Sequence, residues 1–149
     1  MGGQTSSLVF LQYLTTVFDN IADGILLINV DSTDRFSLAL ANKTFFKFSG
    51  YPEDSIGKNV SEVVSHESYA FLSRQYKKVI RTKRPLGYLR WSEVPAGMRA
   101  FEVRLVPVFN TTGDCVQIAA IIHDATEREQ LRKEVLHLRA TVRGIRQSV

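Results

Sequence analysis

Cysteine is nearly absent: Cys115 is the only one in 149 residues. No intrachain disulfide and no cysteine-based metal cluster can form, which fits a reducing compartment. Histidine is scarce as well: neither His66 nor His123 has carboxylate or cysteine companions at metal-ligand spacing, and His137 falls on the expected C-terminal helix. No apolar run approaches the roughly 20 residues needed to cross a bilayer. The apolar start at residues 8–11 lacks a basic flank and a small-residue cleavage site, so it does not read as a signal peptide. A cytoplasmic location is expected, with any membrane anchor outside this chain. A glycine-rich phosphate loop, a nucleophile elbow, a zinc motif and a kinase signature are all missing, so no enzymatic activity is expected. Internal repeats and low-complexity stretches are also lacking.

What is present suits one globular domain with a proper core: 44% hydrophobic and 23% charged residues. The net charge is +4, with basic residues gathered at Lys77, Lys78, Arg81, Lys83, Arg84 and Arg90 and again near the C-terminus. Such clusters can bind phosphate. No nucleic-acid motif accompanies them, so they read as solvated faces and no nucleic-acid partner is expected.

Along the chain, Phe10, Leu14, Val17, Phe18 and Ile21 recur at helical spacing and predict an amphipathic N-terminal helix over residues 8–20. GILLINV and FSLALA, separated by the turn-forming DSTD, predict an antiparallel hairpin. Asn42 is placed to cap a short helix that stops at Gly50. Pro52 opens another helical turn closed by Gly57. Residues 67–83 place Tyr69, Leu72, Tyr76, Val79 and Ile80 on one face of a long helix that Pro85 stops. LGYLRWSEV, AFEVRLVPVF and CVQIAAIIHD then predict three strands. The expected class is α+β: a five-stranded antiparallel sheet with helices on one face, flanked by an N-terminal amphipathic helix and a C-terminal coiled-coil helix.

This order resembles the PAS fold over roughly residues 18–128. ANKTFFKFSGYPEDSIGKNVSEVV is similar to that family's region of short helices, with Asn42, Gly50, Tyr51 and Gly57 at the expected places. FEVRLVPVFNTTGDCVQIAAIIHD resembles its final hairpin. HDATERE resembles its Asp-Ile-Thr connector, with Ala125 in place of isoleucine. The resemblance implies a cavity between helices and sheet and signalling through flanking helices; it leaves the ligand open. It divides the chain into a flanking helix at 1–20, a PAS sensor domain at 21–124 and a coiled-coil connector at 125–149.

Strand alternation gives a candidate cavity lining. If Phe101, Val103 and Leu105 face the helices, the same parity points Ile118, Ala120 and Ile122 inward, and Leu89 and Trp91 with them. Leu72 and Tyr76 would close the cavity from the long helix, and Phe45 or Phe46 from the short one. The same side chains could equally fill a solid core. The cofactor is unknown, with flavin and haem disfavoured. Light-oxygen-voltage domains, which belong to the same family, carry Gly-Arg-Asn-Cys where this chain reads Gly57-Lys58-Asn59-Val60, so the adduct-forming thiol is a valine. The flavin-facing glutamine position falls on Ile122. Haem-binding relatives supply an axial histidine from the long helix or just after it, and this stretch has no histidine beyond His66 at the helix start.

The C-terminal segment spaces Leu131, Val135, Leu138, Val142, Ile145 and Val149 by alternating fours and threes, a heptad seam with β-branched a positions. Glu127 and Glu134 fall at g, and Arg132 and Arg139 at e, so a parallel homodimer pairs opposite charges. The alternative is a helix folded back on its own domain. Asp124 and Thr126 would cap this helix, Thr126 forming a capping box with Glu129, and Arg128 lies in the same connector. The heptads still run at the last residue, suggesting a fragment of a longer protein. Three readings follow: a sensory and dimerisation module of a histidine kinase, cyclic-dinucleotide enzyme or similar regulator, relaying small-molecule or partner binding to an output domain; a ligand-free interaction domain; or a flavin or haem redox sensor.

Overall fold

The computed structural model describes residues 2–32 and 34–148, with side chains described for 6–32 and 34–146. Thr33 of the expected DSTD turn and Val149 of the heptad series lie outside the described residues. In chain order the elements are α1 (Gly2–Asn20), β1 (Gly24–Ser32), β2 (Arg35–Ala41), α2 (Lys43–Ser49), a 3-10 turn (Glu53–Ser55), α3 (Val60–Val63), α4 (His66–Thr82), β3 (Leu86–Val94), β4 (Gly97–Phe109), β5 (Cys115–Asp124) and α5 (Thr126–Ser148).

The five strands form one antiparallel sheet in the order β2-β1-β5-β4-β3. The α+β expectation holds, with α2 to α4 on one face. The first and last strands in sequence thus meet at the centre, where β1 pairs with β5 from Gly24↔Ile122 to Asn29↔Gln117. Beneath that seam Ile28, Phe36, Val79 and Ile118 are fully or almost fully buried, and the Phe36 ring meets Tyr76 edge-on at 5.0 Å. Apolar burial of this kind supplies most of the driving force for folding.

Asn42 organises the join between α1, β1 and α2. Its Oδ1 accepts from Ile25 N and Phe45 N, and its Nδ2 donates to Phe18 O and Asp23 O, each at 3.0 Å. A fully buried amide that meets two donors and two acceptors is satisfied and fixes its neighbours. The helix it caps ends at Gly50, whose φ of 73° is the left-handed conformation a side chain would disfavour. Ser65 Oγ caps α4 by accepting from Ser68 N. α3 was not predicted from the sequence; its first turn is supported by Glu62, which accepts from Asn59 N at 3.3 Å.

Pro107 lies within β4, paired with Ile118 of β5. A proline has no N–H to give a central strand. Pairing of β4 with β3 stops at Leu105↔Leu86, so by Pro107 the far edge of β4 has no strand beside it.

Candidate functional site

Between the inner face of β3, β4 and β5 and the helices α2 to α4 lies a partly enclosed cavity of about 510 Å³. That is within the usual range for small-molecule sites. Of the side chains expected to line it, Phe45, Leu72, Tyr76, Phe101, Val103, Leu105, Ala120 and Ile122 do so. Phe46 instead packs beside Phe45, ring edge to ring face at 5.7 Å, and Ile118 is sealed under the β1–β5 seam.

The expected facing of β3 is overturned. Leu89 pairs with Glu102, and Trp91 with Ala100. Directly opposed residues share a face, and Glu102 points away from the helices. Leu89 is therefore exposed on the outer face. Trp91 is still among the residues that border the cavity, but its ring lies under Lys133 Nζ of α5, 4.0 Å from the centroid. The inward side chains of β3 are Tyr88, Arg90 and Ser92, with Arg90 opposite Phe101.

The lining is mostly apolar and aromatic, with Leu26, Leu38, Phe48, Tyr51 and Val60 among the residues that sequence alternation missed. Phe48 and Phe101 stack at 5.1 Å and 27°. Gly24 leaves room for the Phe48 ring; any Cβ there would run into it. Val60, at the position of the light-oxygen-voltage cysteine, is a buried part of the cavity wall. Burial pushes the Tyr88 hydroxyl up to about 12, against a smaller opposing pull from Arg90. Burial raises Tyr76 further still, with Tyr88, Tyr51 and Tyr69 adding to it, and also raises Tyr51. These phenols stay protonated near neutrality.

The outer face of the same strands holds the root of α5. Ala100 N donates to Thr126 Oγ1 at 3.0 Å, and Ala125 N donates to Ala100 O at 2.8 Å. Arg128 pairs with Glu102. The expected capping box is replaced: Asp124 Oδ1 accepts from Thr126 N at 3.0 Å and from the Thr126 hydroxyl. Thr126 Oγ1 is thereby committed to Ala100, and the buried Glu129 carboxylate turns to Arg128 and Arg132. Past this root α5 leaves the sheet, with Leu131, Val135, Leu138, Val142 and Ile145 all exposed. Leu8, Phe10, Leu14 and Val17 of α1 are exposed in the same way. Of the histidines, His66 opens α4 at the surface, and His123 Nδ1 lies 2.8 Å from Asp23 Oδ1 on the outer side.

A 2-1-5-4-3 antiparallel sheet with short helices over one face and a cavity between them defines an α+β module. The chain belongs to the PAS-fold family, whose pattern matches residues 18–130. No curated protein sequence matches it. Among solved structures it is similar to an RNA-binding light-oxygen-voltage receptor, at 19% identity and a TM-score of 0.69. That match covers 93% of this chain and 39% of the receptor's length. It is also similar to a PAS domain from Colwellia psychrerythraea, at 17% identity and a TM-score of 0.64, covering 79% of this chain and 98% of that one. A third likeness is to a sensory box histidine kinase/response regulator from Burkholderia thailandensis, at 17% identity and a TM-score of 0.60, covering 87% and 97%. At these identities the likeness is one of fold. No described helix is long and apolar enough to cross a membrane.

Proposed function

We propose that this chain is a non-catalytic sensory module in which occupancy of the cavity sets the position of α5, and through it the state of an output domain. The single observation that carries this reading is the alternation along β4. Phe101 and Val103 face the cavity, while Ala100 and Glu102 between them hold Ala125, Thr126 and Arg128 at the root of α5. β3 repeats the pattern, with Arg90 facing inward and Trp91 under Lys133. A ligand that displaces Phe101 moves the backbone of Ala100 with it, because adjacent residues on a strand share one rigid peptide unit. That motion biases a helix with two arrangements. The protonated phenols and the guanidinium of the lining suit binding rather than proton abstraction.

The output is of the kind found in histidine kinases, cyclic-dinucleotide enzymes or similar regulators, and the bare apolar seam of α5 is covered by a second copy in a parallel homodimer. The exposed faces of α1 and α5 favour a second reading, in which the domain only dimerises or recruits a protein. Native mass spectrometry of the intact chain, purified from several hosts, separates the two. A retained small molecule supports the sensory reading, and a consistently empty protein overturns it in favour of the interaction reading.

A further inference from the structure

We infer that the cavity is built for a small organic acid, a carboxylate carried on a flat apolar body. The inference rests on the sensory reading above and gives its ligand a chemical class.

Beside several serines and two rim carboxylates, the polar groups that line the cavity include three phenols and one guanidinium. Tyr51, Tyr76, Tyr88 and Arg90 all line it, and none of their side-chain polar atoms hydrogen-bonds another described residue. Tyr76 is only 3% exposed. A phenol at that depth is normally bonded. Every described side-chain polar atom that is sealed from solvent has a partner; the Tyr76 hydroxyl has none, so it opens on the cavity. Guanidinium offers donors only, and phenols held in their neutral form offer an O–H each. Their common complement is an acceptor-rich anion, and an ammonium ligand would meet the Arg90 charge unshielded.

Arg90 is also held in place. Its guanidinium lies over the Phe71 ring, 4.4 Å from the centroid, and Phe71 meets Tyr88 edge-on at 5.1 Å. No carboxylate of the described residues forms an ion pair with it. A planar guanidinium fixed on an aromatic face presents the fork that binds carboxylate through two parallel hydrogen bonds. Glu67 and Glu93 border the cavity too, but both are exposed at its rim, where water weakens their field, whereas Arg90 is half-buried. Leu26, Phe48, Phe101 and Ile122 form the remaining wall, which suits a flat apolar body.

The test uses the full chain and a matched pair of probes, phenylacetate and its neutral twin phenylacetamide, titrated by calorimetry. Phenylacetate is expected to bind about tenfold more tightly than the amide, the advantage of a charge-assisted pair. Arg90→Gln should bring the two within about twofold of each other. Tyr76→Phe keeps the core ring and should weaken phenylacetate about fivefold, with circular dichroism confirming that both variants fold. Equal binding of the two probes by the wild type, binding of neither, or an acid preference that survives Arg90→Gln overturns the carboxylate assignment. Those results leave the sensory reading standing, because that reading fails separately, when protein from every host is empty by native mass spectrometry.

Discussion

Where β1, β2 and β5 meet, Ile28 and Ile118 reach 0% exposure, Phe36 is sealed against Tyr76, and the Asn42 amide meets two donors and two acceptors. Where β3 and β4 meet, the same sheet presents Tyr88, Arg90 and Ser92 to a hollow. The first end holds the fold together and joins α1 to the body. The second end adds Phe101, Val103 and Leu105 to the core but also carries unpaired donors, with the root of α5 on its back. A domain that must respond to a ligand can place its weak end against the ligand only if another end supplies the stability.

The largest effect tests this contrast directly. Ile28→Ala should destabilise the protein by about 4 kcal/mol in urea unfolding, because a sealed site cannot collapse around the lost atoms. Phe101→Ala, beside space that already exists, should cost about 3 kcal/mol, the low end for a buried phenylalanine. Equal losses would mean that the two ends are packed alike. Asn42→Ala should cost about 3 kcal/mol, since it removes a helix cap and strands the part-buried Ile25 N–H and the Phe18 and Asp23 carbonyls.

The phenols of the hollow end give a pH signature. Burial makes the folded protein hold the Tyr88 proton more tightly than the unfolded chain, whose tyrosine titrates near 10, and Tyr76 and Tyr51 shift the same way. Stability should be level below about pH 10 and fall as pH rises toward 12, where the unfolded chain gives up protons first. Urea midpoints with phenolate absorbance at 295 nm follow both events, and a flat profile to pH 12 would show these hydroxyls to be well hydrated.

Smaller effects concern α5. Thr126→Ala removes the bond to Ala100 N and should cost about 1 kcal/mol, read by urea unfolding; a loss as large as that of Asn42→Ala would place the root of α5 within the stable end. Leu138→Asp should change the unfolding of the body by less than about 0.5 kcal/mol, as expected of an exposed site, while shifting a dimer toward monomer in sedimentation equilibrium. A wild type that is monomeric at tens of micromolar would remove the homodimer from the proposal.

Much of this fold is readable from local chemistry. α4 stops just short of Pro85, and β3 and β5 have the limits that their turns suggest, because turn formers act on their immediate neighbours. The Asn42 cap and the Gly50 stop were legible for the same reason, though nothing local announces that Asn42 also bonds Phe18 and Asp23. The facing of β3 was not legible from hydrophobic alternation. Trp91 is large and apolar yet turned outward, where Lys133 of α5 lies over its ring, and Arg90 and Ser92 are polar yet turned inward, because they border a cavity rather than a core. A signal was available in the hairpin. Val94 pairs with Gly97 across the two residues Pro95 and Ala96, and counting back along both strands from that turn places Arg90 beside Phe101. Of the site, the apolar wall was therefore legible and the polar donors were not.

Pro107 has a consequence outside signalling. Past Leu105 the far side of β4 pairs with no strand of the described residues, and an unpaired stretch of strand is a template on which another molecule's strand can add, the first step of edge-to-edge aggregation. A residue that has no N–H breaks the row of donors such a strand would need. The proline thus acts as a gatekeeper, helping to keep copies of this domain from growing into one another's sheets.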